Sequence, residues 1–215
     1  MNRLPTKAEI DECLKPSPWD LGNSVLYQFC QLHFEHKRLD EIIAKAWLIG
    51  RSYAAAVERR RNNNAISDDF YVNIVAPTIQ KSHIDFDLVS LRQHRKITSS
   101  NAVEILRLHH YLVKTLEPIT GLEQRAFCSK YLHFHMPSLF FIYDSRALTA
   151  MRTFVSRVPK DLAHIVGSTE IDTDYAKFVA KCLALRNLIA EEYECDLTTR
   201  QLDNLLLNVA NRKRA

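Results

Sequence analysis

Hydrophobic residues recur along most of the chain at the three- and four-residue spacing that places side chains on one face of an α-helix. Alternation with a period of two, which is typical of a half-buried strand, is confined to residues 139–143. The sequence therefore predicts an all-α protein with roughly ten helices. The predicted segments cover residues 7–14, 20–36, 39–60, 83–95, 101–116, 122–135, 145–155, 161–166 and 174–193, with further helices starting near residues 67 and 198.

Two helix starts in the second half of the chain carry side chains that can satisfy the free amides of a helix N-terminus. Thr120 and Glu123 have the spacing of a capping box before the helix over residues 122–135. Asp144 stands directly before the helix over residues 145–155. We therefore expect Asp144 to be the N-cap of that helix.

Two helices in the first half carry distinctive patterns. The helix over residues 39–60 contains Gly50, which would let another backbone approach closely, as would the alanines at positions 54–56. Trp47 and Tyr53 fall at helical spacing, either as helix-packing residues or as the wall of an aromatic pocket. The apolar stripe of the helix over residues 20–36 is expected to be buried and contains Leu21, Val25, Leu26, Phe29, Leu32 and His33.

The composition is that of a soluble globular protein. Hydrophobic residues make up 47% of the chain and charged residues 25%, with only 4 glycines, and this balance favours a large helical core with few tight turns. Residues 1–215 are expected to form a single compact unit, or two helical lobes over about residues 20–116 and 117–215 that flank a cleft.

Basic residues are clustered at three places, although the net charge is only +4. The clusters lie at residues 59–61, 92–96 and 212–214. Each is interpreted either as a solvated face or as a contact for a nucleic-acid backbone. Arg59, at the end of a predicted helix, is the candidate DNA contact of the first cluster.

The five cysteines are scattered along the chain and include no Cys-x-x-Cys pair. This pattern favours reduced thiols and argues against a zinc ribbon or an iron–sulfur cluster. The first residues lack the apolar run of a signal peptide, and no apolar stretch reaches the length of a membrane span. We therefore expect a cytoplasmic protein with no membrane partner, no metal cluster and no cofactor.

Two pairs of histidines do not have the spacing of a metal site: His109 with His110, and His133 with His135. Helical neighbours one or two residues apart diverge by about 100° or 200°, unlike residues one turn apart. A metal site is therefore not predicted. His133 is interpreted as a hydrogen-bonded core or pocket residue, with a general-acid role as the alternative.

Candidate chemistry is concentrated in residues 130–146. Lys130 falls on an apolar arc of its helix, so either its ammonium extends to solvent or it is desolvated, with a lowered pKa suited to electrostatic or nucleophilic work. The apolar run over residues 139–143 ends at Asp144. This carboxylate is interpreted as a cap alone or as a cap that also carries chemistry, because the cap fixes its direction and the apolar run limits water.

The segment over residues 120–152 resembles the helix-hairpin-helix DNA glycosylase superfamily. In that family the second hairpin helix leads through an apolar turn to an essential aspartate that opens the next helix, and the sequence Pro-Ser-Leu-Phe-Phe-Ile-Tyr-Asp ending at Asp144 has this form. The resemblance implies that Asp144 stabilises an oxocarbenium-like sugar and positions water once the target nucleotide is flipped out of double-stranded DNA. It also implies excision of a damaged or modified base, in base-excision repair or in defence against phage.

Three departures from the family pattern refine this hypothesis. The Gly-x-Gly hairpin that holds a DNA phosphate is replaced by Ile-Thr-Gly-Leu-Glu around Gly121. The lysine of strand-cleaving members would fall near Gln124 and Arg125, whereas Lys130 lies further along the helix, which favours a monofunctional enzyme. The four-cysteine cluster of some members is missing.

The candidate site residues form three groups. Asp144 and Lys130 are the catalytic candidates. The candidates for DNA binding are Gly121, Arg125, Arg146, Arg152 and Arg59, and those for contacting a flipped base are Trp47, Tyr53, Tyr131, His133 and Tyr143. The alternative hypothesis is a non-catalytic helical DNA-binding or protein-interaction module, for which the basic clusters and the helix over residues 39–60 would suffice.

Overall fold

The computed structural model describes residues 3–58 and 68–212. These residues form helices joined by turns and loops and contain no β-strand, so the all-α prediction is confirmed. The helices are α1 (Lys7–Cys13), α2 (Pro18–Leu32), α3 (Leu39–Ser52), α4 (Asp68–Phe70), α5 (Ala76–Gln80), α6 (Ile84–Ser90), α7 (Ala102–Thr120), α8 (Arg125–His135), α9 (Ser145–Phe154), α10 (Ala163–Val166), α11 (Thr173–Tyr193) and α12 (Thr199–Arg212). A π-helical turn (Tyr71–Val75) joins α4 to α5.

Helix α8 lies at the centre of the fold. Its residues from 127 to 135 are all buried, and helices α2, α3 and α7 pack around it. The connection from α8 to α9 is also enclosed, because Tyr175 of α11 donates a hydrogen bond of 2.7 Å from its hydroxyl to the carbonyl oxygen of Phe141. The chain therefore enters α9 from inside the core rather than from a surface loop.

Helix α2 turns a different face to the core from the one that its apolar pattern predicts. Leu21, Val25 and Leu32 are 77%, 67% and 81% exposed, so the prediction of one buried stripe is wrong for these three residues. The orientation is fixed by Tyr27, whose hydroxyl lies 2.6 Å from Nε2 of His133 on α8. The face that carries Tyr27 also buries Leu26 and Cys30, which leaves Leu21, Val25 and Leu32 at the surface.

Helix α3 ends at Ser52, well before residue 60, because the chain doubles back on it. The amide of Ala55 donates to the carbonyl oxygen of Gly50 over 2.7 Å, and Ala54 takes the left-handed conformation with φ of 53°. A Cβ at Gly50 would lie 3.5 Å from the Ala56 Cα atom. The close backbone approach predicted at Gly50 therefore occurs, and it takes place within one segment of the chain. Arg59, the predicted DNA contact at the end of this helix, lies outside the described residues.

Helix α7 runs through Pro118 to Thr120 and ends at Gly121, which adopts φ of 68° and donates its amide to Glu117. The capping box predicted for Thr120 and Glu123 is absent, because the Thr120 hydroxyl donates instead to the Leu116 carbonyl, 2.9 Å away in the last turn of α7. Helix α8 consequently starts only at Arg125.

The two ends of the described chain lie together. Helix α1 packs against α12, and α12 packs against α9. The hydroxyl of Tyr193, at the end of α11, donates to the carbonyl oxygen of Pro5 over 2.5 Å. The first helix of the chain is therefore associated with its last helix.

Candidate active site at the start of helix α9

Asp144 is held at the N-terminus of α9 as its cap, which confirms the capping prediction. Its Oδ1 atom accepts a hydrogen bond of 2.9 Å from the backbone amide of Arg146. The residues that lead into it, Leu139 to Ile142, are buried. The cap and the buried approach together fix the direction of the carboxylate, and its second oxygen, Oδ2, points towards α8.

The Lys130 ammonium is the partner of that second oxygen. Lys130 is only 2% exposed, and its Nζ atom lies 3.3 Å from Asp144 Oδ2 and 2.8 Å from the carbonyl oxygen of Tyr53. The ammonium is thus desolvated, and the alternative in which it extends to solvent does not apply. Burial lowers the pKa of Lys130, while the neighbouring Asp144 carboxylate acts in the opposite direction.

The same pair sets the ionisation of Asp144. Burial alone would raise the pKa of this carboxyl, but the positive charge of Lys130 and the Arg146 amide hydrogen bond outweigh it, so the pKa lies below its ordinary value. Asp144 is therefore an anion at neutral pH, partly buried and fixed in direction.

These residues line a cavity of about 490 Å³. Its walls come from the turn after α1, the segment after α3, the start of α9 and one face of α12. Of the sequence-predicted site residues, Tyr53, Lys130, Asp144 and Arg146 line it. The volume is within the range of pockets that enclose small organic ligands.

Asp203 on α12 is a second carboxylate in this cavity, and sequence reasoning missed it. It is 4% exposed, and its Oδ2 accepts a hydrogen bond of 2.6 Å from Arg200. The pKa of Asp203 is raised to about 6, mainly by burial; the charge of Arg200 opposes this shift and that of Asp144 adds to it. A sequence signal was present, because Asp203 lies between leucines on the buried face of an amphipathic helix.

Helix α12 also contributes a polar wall. Asn204, Asn208 and Asn211 recur at helical spacing and all line the cavity. Amide side chains offer both donors and acceptors, which is the combination that reads the edge of a nucleobase. Trp19 also lines the cavity and is 70% exposed, so its ring is open to a ligand at the rim.

Four of the predicted base-contacting residues lie away from the cavity lining. Tyr131 is fully buried with its hydroxyl 2.8 Å from Nε2 of His36, and His133 is enclosed between Tyr27 and the Phe140 carbonyl. The other two are Tyr143 and Trp47. The Tyr143 ring packs edge-on against Phe178, and the Arg51 guanidinium lies over the Trp47 ring.

The predicted DNA-binding residues have different surroundings. Arg146 lies at the N-terminus of α9 with its side chain 42% exposed, which suits a phosphate contact. Arg125 is engaged by the carboxylates of Asp172, Glu123 and Asp174. Gly121 serves as the cap of α7, and Arg152 lies in the last turn of α9.

No group of three His, Cys, Asp or Glu side chains within residues 3–58 and 68–212 is placed to hold a metal ion. None of the described helices is long and apolar enough to cross a membrane. The five cysteines are free, and burial raises the pKa of four of them.

Comparison with protein-family models, with curated proteins and with solved structures finds no match to this chain. The function proposed for this chain therefore rests on the geometry of the cavity and on the expectation that residues 120–152 follow the glycosylase pattern. The geometry offers a fixed carboxylate anion, a buried ammonium and a second, protonatable carboxyl on the walls of one cavity.

Proposed function

We propose that this chain is a DNA glycosylase-like enzyme that excises a damaged or modified base from double-stranded DNA by hydrolysis of its N-glycosidic bond, without cleaving the strand. The observation that carries the proposal is the placement of Asp144: an ionised carboxylate at a helix start, lining a ligand-sized cavity beside a buried ammonium. The pathway it would serve is base-excision repair or defence against phage DNA.

Asp144 has the properties that hydrolysis of a glycosidic bond requires. As the bond to the base breaks, positive charge develops on the sugar ring, and a fixed anion in a site with little water stabilises it. The same carboxylate can orient the attacking water from the opposite side. The lowered pKa of Asp144 keeps it ionised in the neutral range, so no proton has to be removed before reaction.

Lys130 acts in this proposal through Asp144. Its ammonium is already occupied by the Asp144 carboxylate and the Tyr53 carbonyl, so it positions the anion rather than attacking the sugar. This arrangement supports a monofunctional enzyme, since formation of a Schiff base would need Lys130 to lose its proton and leave both partners.

DNA would approach the open side of the cavity. The Arg146 guanidinium lies beside Asp144, with its Nε atom 3.4 Å from Asp144 Oδ1, and its exposed end can bind a phosphate next to a nucleotide flipped into the cavity. Asn204 and Asn208 on α12 would face the edge of the base.

The test is a panel of duplexes that carry damaged or modified bases, incubated with the protein and then treated with alkali to cut abasic sites. We expect alkali-dependent breaks with at least one substrate, and their loss in Asp144→Asn. Asp172→Asn is the matched control, because Asp172 also caps a helix and is 6% exposed, but it does not line the cavity. DNA binding without breaks on any substrate would instead support the non-catalytic module.

A further inference from the structure

Two buried polar atoms of cavity-lining residues, Asp203 Oδ1 and Arg200 Nε, are left without a partner in the described part of the chain. Asp203 Oδ1 is buried and finds no hydrogen-bond donor within the described part of the chain, although Oδ2 is bound by Arg200. A buried polar atom without a partner is costly, so it calls for an explanation such as a catalytic role or a bound water, ion or ligand. Asp203 lines the cavity, so this unpaired oxygen belongs to a residue of the cavity wall.

The surroundings of Asp203 decide whether it accepts or donates a proton. The titratable groups that interact electrostatically with Asp203 are one carboxylate, three cations, two tyrosine hydroxyls and one thiol. They belong to Asp144, Lys130, Arg146, Arg200, Tyr27, Tyr53 and Cys182. Burial is the largest influence and favours the protonated form. A carboxylic acid with one free oxygen is a hydrogen-bond donor as well as an acceptor.

We propose that Asp203 is the proton donor to the leaving base, and that the base is a neutral purine. This inference rests on the proposed glycosylase function and names the group that completes it. Asp144 and Asp203 would then divide the work of the cavity, the first as the anion that faces the sugar and the second as the acid that faces the base. Two carboxyl groups with unlike surroundings commonly divide these roles.

The step balances as follows. The proton on Asp203 Oδ1 moves to a ring nitrogen of the purine, the bond between C1′ and N9 breaks, and its electron pair stays with the purine, which leaves uncharged. Water adds to C1′ beside Asp144 and releases one proton, which restores the Asp203 acid through solvent. The products are the free base and an abasic sugar.

The charges on the cavity wall and the basicity of the ring nitrogens favour a neutral purine over a positively charged base and over uracil or thymine. When Asp203 is protonated, the cations Lys15, Lys130, Arg146 and Arg200 outnumber the anions Glu12 and Asp144 on the cavity wall, so a base that already carries a positive charge, such as an alkylated one, is disfavoured. Uracil and thymine lack a basic ring nitrogen and gain little from an acid. A purine presents such nitrogens and also edges that the amides of Asn204 and Asn208 can pair with.

Binding of free adenine tests the proposal without turnover. We expect calorimetry to detect adenine binding at pH 5, and the affinity to fall by about tenfold for each pH unit above pH 6, because the ionised acid can no longer donate. In Asp203→Asn the affinity should be independent of pH. In Arg200→Gln, which removes the cation that opposes protonation, the pH midpoint should move upward.

Several results would overturn the assignment: no adenine binding, binding by the wild type that does not change with pH, or uracil bound as well as adenine. Asp144→Asn should still bind adenine while losing base excision. Failure of the glycosylase proposal is thus read from the duplex panel, and failure of the Asp203 assignment is read from the adenine titration.

Discussion

Lys130 Nζ lies 3.3 Å from Asp144 Oδ2 and 2.8 Å from the Tyr53 carbonyl oxygen. One buried ammonium therefore connects the carboxylate at the start of α9 with the segment that follows α3. That segment contains Ala54, whose φ of 53° is rare for a residue other than glycine. The reversal directs the Tyr53 carbonyl at Lys130, so local backbone strain and the charge arrangement of the site are found together.

Replacing Lys130 with Met should raise the pKa of Asp144. The ammonium is the largest influence that lowers this pKa, and without it burial acts unopposed except by Arg146 and its amide. Titration of the Asp144 carboxyl by carbon-13 NMR measures the change directly. If the duplex panel identifies a substrate, excision at neutral pH should fall by about tenfold or more.

The matched control for that variant is Lys45→Met. Lys45 is also a fully buried lysine, 0% exposed, whose Nζ donates to the His33 carbonyl over 2.7 Å, but it does not line the cavity. Both variants should lose stability because each leaves a carbonyl without its donor. An Asp144 pKa that moved equally in both variants would contradict the role assigned to Lys130.

The helical periodicity was sufficient to predict the fold class, because apolar spacing alone distinguishes helices from strands. It could not predict which face of α2 is buried, since the contact of Tyr27 with His133 joins residues that are 106 positions apart. Nor could it locate the end of α3, where the reversal at Ala54 depends on packing against Gly50. A long-range contact decided the first and a local reversal of the backbone decided the second, rather than helix propensity.

The candidate site likewise contains residues that a local sequence pattern predicts and others that only tertiary packing brings together. Asp144 and Lys130 are 14 positions apart and could be singled out locally, one by its place before a helix and the other as a charge on an apolar arc. The Tyr53 carbonyl and Asp203 reach the cavity only through tertiary packing, and no local pattern places them beside Asp144. The fully buried aromatics, such as Tyr131, were candidates only because residue type does not report burial.

Gly121 and Gly22 should respond oppositely to substitution by alanine. Gly121 ends α7 with φ of 68°, so Gly121→Ala should destabilise the protein by about 1 kcal/mol. Gly22 lies within α2, and a Cβ there meets nothing within 4 Å, so Gly22→Ala should stabilise it by about 0.5–1 kcal/mol. Urea denaturation measures both, and a neutral Gly121→Ala would show that the left-handed cap is not required.

Arg146 should contribute to salt-dependent DNA binding. Its side chain is 42% exposed beside the cavity, and loss of one phosphate contact should reduce the slope of log affinity against log salt by about 1. The measurement compares Arg146→Gln with the wild type on a duplex that carries an abasic-site analogue. Arg107→Gln serves as the control, since Arg107 pairs with Glu170 and does not line the cavity. Equal slopes in all three proteins would exclude Arg146 as a phosphate contact.

Asp203 should make folding stability depend on pH. Its pKa rises from 3.8 to about 6 on folding, so the folded state binds the proton more tightly than the unfolded state. The resulting contribution to the free energy of unfolding is fully present below about pH 4 and is lost as the pH rises through 6. Between those limits the wild type should lose about 3 kcal/mol relative to Asp203→Asn, in which no charge has to be buried at higher pH.

Asp144→Asn should show the opposite dependence. The pKa of Asp144 is lowered on folding, so its contribution is present above the ordinary carboxyl range and is lost as the pH falls through the folded value. The wild type should therefore have a larger free energy of unfolding than Asp144→Asn at neutral pH, and this difference should shrink on acidification. Its free energy of unfolding should be smaller than that of Asp203→Asn at neutral pH, and that difference should shrink on acidification as well. Urea denaturation from pH 3 to 8 separates the two curves. Parallel behaviour of the two variants above pH 4 would mean that both carboxyls are ionised alike, and Asp203 could not then be the acid of the pair.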